Sequence, residues 1–259
     1  MSGKRNTARA FGAAPRLLPY IPRLLAGLWS LGVPPETVVK LLQDQDCAAE
    51  ADTVLDLGCG KGAISITLAR QFGFRVYGID FFAPFIEEAR ERARDLGVSD
   101  ICRFETGDIK KTVRGSADYD MVMLIWMGSV LGSAGESVQQ IRRLVRPQGY
   151  MVIGDGCLKG DAKADHPFLY RFTSRDIMLK QLTMYGDVIQ KEMVIPPDTI
   201  NPFYRDYIDS LKRGAEECAT GHPEHAGILW EYVNTHEEIC RTMEDTIASC
   251  LWMLKKEGT

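Results

Sequence analysis

The 259-residue sequence predicts an α/β fold, with a mostly parallel sheet covered by helices on both faces. Three observations predict it. Short apolar runs alternate with helical periodicity from residue 51 to residue 155. A glycine cluster, Gly58-Cys59-Gly60-Lys61-Gly62, stands between the first apolar run and the helix that follows it. The stretch Tyr119–Trp126 is almost continuously apolar, as a strand buried on both faces must be.

In chain order, residues 1–50 read as a helical N-terminal cap. Pro22–Leu31 has apolar positions at 24, 25, 28 and 29. Pro35–Gln43 opens on a proline pair, whose fixed φ suits a first helical turn. Thr53–Leu57 is a short β-rich run that ends in the glycine cluster. Ile64, Leu68 and Phe72 then recur at four-residue spacing, with Gly73 as the stop. Arg75–Asp80 is the second strand. Pro84 opens a helix with Phe85, Ile86, Ala89, Ala93 and Leu96 on one face, closed by Gly97.

Ile101–Glu105 is a third, weaker strand and Tyr119–Trp126 the fourth. Val138, Ile141, Leu144 and Val145 mark a helix, and Gly149–Ile153 is the fifth strand. Thr173–Tyr185 is helical and Asp187–Ile195 extended. Tyr204, Tyr207, Ile208, Leu211, Ala215 and Cys218 define one amphipathic helix, and Leu229, Tyr232, Val233, His236, Ile239 and Met243 another. Ile247–Leu254 closes the sheet. The chain therefore divides into a cap over 1–50 and a main domain over 51–259, with a helical insertion at about 196–246 before the last strand.

Composition narrows the function classes. The chain is 45% hydrophobic and 25% charged, ordinary for a globular protein. A formal net charge of -4 gives no excess of Lys and Arg for phosphate contacts, which argues against nucleic acid as a partner. The local exception is residues 1–35, which hold Lys4, Arg5, Arg9, Arg16 and Arg23 and no acid. That strip reads as a solvated terminus or as an attractor of an acidic substrate. No 18-residue apolar stretch exists, so no membrane span is expected. Pro15, Pro19 and Pro22 interrupt Leu17–Leu28, so no signal peptide is read. Seven cysteines without a C-x-x-C pair fit a reduced, cytoplasmic compartment and argue against structural zinc.

Strand, glycine loop and helix together form an arrangement that binds a nucleotide-like cofactor at a helix N-terminus. Asp80 lies 22 residues after Gly58, at the end of the second strand. An acid there can accept hydrogen bonds from both hydroxyls of a ribose. Asp56, two residues before Gly58, would repel a pyrophosphate but suits a cofactor carrying an ammonium or sulfonium. The spacing G-x-G-x-G, with Ala63 next, leaves a dinucleotide-binding dehydrogenase as the alternative.

At this point a family resemblance enters. Val54-Leu55-Asp56-Leu57-Gly58-Cys59-Gly60-Lys61-Gly62 resembles motif I of class I S-adenosylmethionine-dependent methyltransferases. Tyr77-Gly78-Ile79-Asp80 resembles their second motif. Gly107-Asp108 resembles the position whose acid meets the adenine amino group, and Arg146-Pro147-Gln148-Gly149-Tyr150 the turn before their fifth strand. The likeness covers residues 50–155, and the layout is similar to the UbiE-like group. It implies a Rossmann-like seven-stranded sheet with an antiparallel last strand, and S-adenosylmethionine as cofactor, leaving as S-adenosylhomocysteine.

The resemblance also implies roles. Gly58, Cys59 and Gly60 would pass under the methionine part, and Asp56 would face its amino group. Asp80 would take the ribose hydroxyls, with Phe81 beside the adenine. Gly107, Asp108 and Ile109 would hold the adenine edge, and Trp126 and Met127 would lie near the sulfonium. Each acid has a second reading as a helix cap or turn residue.

For the acceptor, no Pro-Pro-Tyr or Pro-Cys motif follows the fourth strand, where Leu124-Ile125-Trp126-Met127-Gly128-Ser129 stands. The expected substrate is therefore a small molecule. Asp155, read as just past the fifth strand, and His166 are the candidate catalytic groups. His222 and His225 flank Pro223 without a convincing set of acid ligands, so no metal is expected; His236 reads as a core residue. Tyr20, Tyr204 and Tyr207 are candidates for a lid, and Cys157 and Cys218 read as buried small hydrophobes. The alternatives are a protein or RNA methyltransferase using the basic N-terminus, and a non-catalytic S-adenosylmethionine-binding regulatory protein. The stripes over 204–243 leave a homodimer as an option.

Overall fold

A computed structural model describes residues 8, 11–43, 51–160, 162 and 167–258. Its strands are β1 (Thr53–Leu57), β2 (Arg75–Asp80), β3 (Cys102–Thr106), β4 (Tyr119–Ile125), β5 (Val145–Leu158), β6 (Thr173–Ser174), β7 (Val188–Val194) and β8 (Ile247–Lys255). Its main helices are α1 (Pro35–Leu42), α2 (Ala63–Phe72), α3 (Ala83–Asp95), α4 (Ile109–Thr112), α5 (Ala134–Ile141), α6 (Arg175–Leu182), α7 (Pro197–Gly221) and α8 (Ala226–Thr246).

The sheet order is β3-β2-β1-β4-β5-β8-β7, with β6 paired to β5. Strands β1 to β5 run parallel, and β8 is antiparallel to both β5 and β7. From β1 the chain winds outward through β2 and β3, then returns to lay β4 on the other side of β1. That reversal is a topological switch point, where the carboxyl ends of neighbouring strands leave a crevice. Register aligns the two walls: Asp56 pairs with Gly78 on one side and Met123 on the other.

Two apolar clusters sandwich the sheet, and β4 supplies both. Met121, Met123 and Ile125 enter one, while Val122 and Leu124 enter the other. This two-sided burial is why its sequence shows no polar alternation. The first cluster also takes in α2, α3, the cap and the long hairpin of α7 and α8; the second takes in α5 and α6. Gly214 lets α7 lie directly on the cap, since a Cβ there would sit 2.6 Å from the Leu24 Cα. Among the described residues no helix is long and apolar enough to cross a membrane.

Several expectations need correction. Pro22–Leu31 is not one helix: only Ile21–Leu24 makes a helical turn. The Lys61 ammonium takes the Leu25 and Leu28 carbonyl oxygens at 2.7 and 2.8 Å, tying that backbone to the glycine loop. Strand β5 starts at Val145, so Val145 is strand and not helix; the register shifts opposite Tyr119 and Met121, and Gln148 has a φ of 59°. Strand β5 also runs on to Leu158, which places Asp155 inside it. Thr173–Ser174 pairs with Cys157–Leu158 and makes eight strands in place of seven. The helix after it accordingly starts at Arg175 and stops at Leu182. Lys4, Arg5, Arg9 and His166 lie outside the described residues. Of the basic strip that is described, Arg16 is exposed and Arg23 pairs with Glu217.

Candidate cofactor and acceptor site

The switch-point crevice is built from the ends of β1, β2 and β4. After β1, Gly58, Gly60 and Gly62 adopt φ values of 83°, 53° and 74°, a region that side chains disfavour. The Gly58 and Cys59 amides donate to the Ile79 carbonyl at 2.7 and 3.1 Å, which bends the loop back over β2. A Cβ on Gly58 would stand 2.1 Å from the Met127 sulfur, so the tip of β4 lies against the open face of the loop.

Asp80 ends β2 and is 6% exposed. Its Oδ2 accepts from the Gly60 amide at 3.1 Å and its Oδ1 from the Phe82 amide at 2.9 Å. Burial pushes its pKa up, and the backbone hydrogen bonds oppose that. Asp56 is 3% exposed and accepts from the Ser65 hydroxyl at 2.6 Å, which ties β1 to the first turn of α2. Burial raises its pKa to about 6, the Ser65 bond opposes, and the Asp80 charge adds to the rise. The Cys59 thiol is raised too, first by burial and then by the two carboxylates.

The adenine-side candidates sit at neighbouring strand ends. Phe81 and Phe82 pack against Phe11 of the cap at ring separations of 5.7 and 5.0 Å. The Gly107 amide donates to the Asp80 carbonyl at 2.9 Å, joining the ends of β2 and β3. Asp108 is exposed and its Oδ1 accepts from the Lys110 amide at 3.0 Å, capping α4; Ile109 is buried behind it.

On the β4 side, Trp126 holds a φ of 54° while its amide donates to the Gly154 carbonyl at 2.8 Å. Its indole N–H is buried and has no partner among the described residues. Such a group is costly in a protein interior unless a ligand or water satisfies it. A cavity of about 120 Å³ opens beside this turn, lined by Met127, Ser129, Asp155, Arg171 and Met178 among others. Within it the Arg171 guanidinium lies 3.6 Å from the Asp155 carboxylate and stacks on the Phe172 ring at 4.2 Å. Burial raises the Asp155 pKa; the Arg171 charge and the Gly156 amide oppose it.

The His236 ring packs 4.0 Å from Tyr232, its Nδ1 lies 2.9 Å from the Tyr232 carbonyl, and burial lowers its pKa. Tyr204 is buried with its hydroxyl 3.1 Å from that of Ser249. Tyr207 packs on His236, and Cys157 and Cys218 are buried.

Sequence reasoning missed two residues. Lys61 is 1% exposed and, besides the two cap carbonyls, faces Glu88 at 2.9 Å; Trp29 of the cap donates back to the Lys61 carbonyl at 3.3 Å. Arg171 is the second. Both have partners far away in sequence, so no local pattern marks them.

A parallel sheet with this strand order, a left-handed glycine loop after β1 and a buried acid after β2 define a class I S-adenosylmethionine-dependent methyltransferase domain. The model of the methyltransferase-domain family matches residues 48–197, more than half of the chain, and the chain belongs to that family. A solved structure of a SAM-dependent methyltransferase from Geobacter sulfurreducens, in complex with S-adenosyl-L-homocysteine, superposes with a TM-score of 0.76 at 20% identity. It covers 91% of this chain and 96% of that one, so the fold is shared over nearly the full length. A ribosomal protein L11 methyltransferase of Exiguobacterium sp. is 30% identical over 100 residues, 39% of this chain and 31% of its own length. A 27-O-demethylrifamycin SV methyltransferase of Amycolatopsis mediterranei is 30% identical over 104 residues, 40% of this chain and 38% of its own. The chain thus spans about a third of the length of these two curated relatives.

The loop and its acids suit the cofactor such a domain takes. Asp80 is buried and bound by the Gly60 and Phe82 amides with acceptor capacity to spare, the glycines leave the loop backbone open to close approach, and the Trp126 indole N–H lacks a partner among the described residues.

Proposed function

We propose that this chain transfers a methyl group from S-adenosylmethionine to a small-molecule acceptor held at the mouth of β4 and β5. The observation that carries the reading is the buried Asp80 carboxylate bonded to the left-handed Gly60 at the switch point. When bound, the cofactor supplies a sulfonium methyl that leaves by in-line displacement, so the protein's work is alignment and exclusion of water.

In this reading Asp80 accepts from the ribose hydroxyls, and Gly58, Cys59 and Gly60 give the backbone face of the loop. Gly107, Asp108 and Ile109 form the adenine edge, with Phe81 beside it. Asp56 is buried against Ser65, so its charge acts on an ammonium group at the loop without exposing a carboxylate edge. Met127 turns its flexible thioether away from Gly58 to admit the cofactor, and Trp126 borders the methyl.

On the acceptor side Asp155 serves as base or amine-binding group, and Arg171 fixes its position. His166 remains a second candidate base. The 120 Å³ cavity beside Asp155 supports an acceptor of which only a small part enters the protein. The cysteines support a cytoplasmic location; the apolar stripes of α7 and α8 are buried in the first cluster and lend no support to the homodimer that the sequence left open.

Transfer of labelled methyl to panels of small hydroxyl, amine and thiol acceptors tests the substrate class. Incorporation into small molecules that is lost in Asp80→Ala supports it. Incorporation only into a protein fraction would favour the reading that the ribosomal-protein relative suggests.

A further inference from the structure

At the tip of the α7–α8 hairpin the turn Pro223–His225 brings three ligand-type side chains together. Donor atoms of His222, Glu224 and His225 all lie within 4.8 Å of one another. The His222 Nδ1 is 3.4 Å from the Glu224 Oε1, and the His225 Nδ1 is 3.9 Å from the same oxygen. Tetrahedral zinc with bonds of about 2.0–2.2 Å places its ligand atoms about 3.4 Å apart. One pair already has that spacing, a second is half an ångström wide of it, and the two histidine donor atoms lie within 4.8 Å of each other, so the exposed His222 and Glu224 side chains have to turn toward the partly buried His225.

A fourth group bears on the cluster. The Tyr20 hydroxyl of the cap lies 2.7 Å from the His225 Nδ1. Its ring packs edge-on against both imidazoles, with centroids 5.5 and 5.6 Å away. In either tautomer of His225, a hydrogen bond between Tyr20 and Nδ1 and a metal bond at Nδ1 exclude each other.

We propose that His222, Glu224 and His225 form a binding site for a late first-row divalent metal such as Zn2+, and that Tyr20 competes with the metal for the His225 Nδ1. The mixed nitrogen and carboxylate donors suit such an ion, and three protein ligands leave one position for water. The site stands at the hairpin tip, on none of the residues assigned to the cofactor or acceptor, and is given no part in methyl transfer. Its occupancy is coupled to the contact that holds the cap against the hairpin tip.

The test is titration of the tag-free full chain with Zn2+ by calorimetry, with Co2+ absorbance as a report on coordination geometry. Expected are one Zn2+ per chain, a tetrahedral Co2+ spectrum, and at least tenfold weaker binding in His222→Ala and His225→Ala. Glu224→Gln should weaken binding as well. Tyr20→Phe should tighten it by about two- to tenfold, the worth of one hydrogen bond. Circular dichroism without metal checks that these surface variants fold. Zn2+ binding unchanged in both histidine variants would overturn the site. Weaker binding in Tyr20→Phe would overturn the competition.

Discussion

Lys61 and Leu28 are 33 residues apart, yet the Lys61 ammonium donates to the Leu28 carbonyl at 2.8 Å. The same ammonium holds the Leu25 carbonyl and Glu88, so one buried cation in the glycine loop fastens the cap over the cofactor crevice. Lys61→Met keeps the bulk and takes the buried ammonium from the Leu28 carbonyl, while the Leu25 carbonyl keeps the Leu28 amide and Glu88 keeps Arg92. A loss of about 2–3 kcal/mol is expected, read as a lower urea midpoint at unchanged slope. A loss under about 0.5 kcal/mol, the size of an ordinary surface change, would contradict the fastening role.

Gly58 carries the next prediction. Its φ of 83° strains any side chain, and a Cβ would stand 2.1 Å from the Met127 sulfur, which would have to turn away. Gly58→Ala should weaken S-adenosylhomocysteine binding by at least tenfold, which corresponds to about 1.4 kcal/mol. Adding Met127→Ala removes the clash but not the backbone strain, so affinity should return only in part. Full return would show that the steric contact alone matters.

Asp56 predicts a pH dependence. Its pKa rises from 3.8 in the unfolded chain to about 6 in the folded one. The folded state therefore binds more protons between those values, and the contribution of Asp56 to stability falls as pH rises from about 4 to about 6. Asp56→Asn carries no such titration. Its stability relative to the parent should improve by about 1–3 kcal/mol between pH 4 and pH 7, measured by urea unfolding at each pH. A difference that does not change with pH would contradict the burial of an ionisable carboxyl at this position.

Arg171 and Asp155 are expected to act on the acceptor and not on the cofactor. Arg171→Met removes the charge 3.6 Å from Asp155 and keeps an apolar side chain against Phe172. Methyl transfer should fall by about tenfold or more while S-adenosylhomocysteine affinity stays within about twofold. An equal loss in both would move Arg171 to the cofactor side.

The legible parts of this protein are those governed by local pattern. The glycine cluster between a β-rich run and an amphipathic helix marks the loop, and the distance to Asp80 marks the second strand end. Strand β4 is legible because both its faces are buried. Legibility ends where a distant partner decides. Leu25 and Leu28 have helical spacing, but Lys61 takes their carbonyls. Leu144 and Val145 continue the helical period of α5, yet Val145 pairs with Tyr119 and starts a strand. Asp155 reads as a turn residue between glycines, and only pairing with Cys250 shows that it lies within β5. The neighbours of Arg171 come from three separate elements, so no window of sequence contains them.

The most direct test of the central claim is calorimetric titration of the full chain with S-adenosylhomocysteine, repeated on Asp80→Ala. Saturable binding in the parent and at least about a hundredfold loss in the variant are expected, because the proposed acceptor of two charge-assisted ribose hydrogen bonds is removed. Binding unchanged in the variant would contradict the role of Asp80. Absence of binding in the parent, with a positive titration by NAD, would contradict the reading of the crevice as an S-adenosylmethionine site.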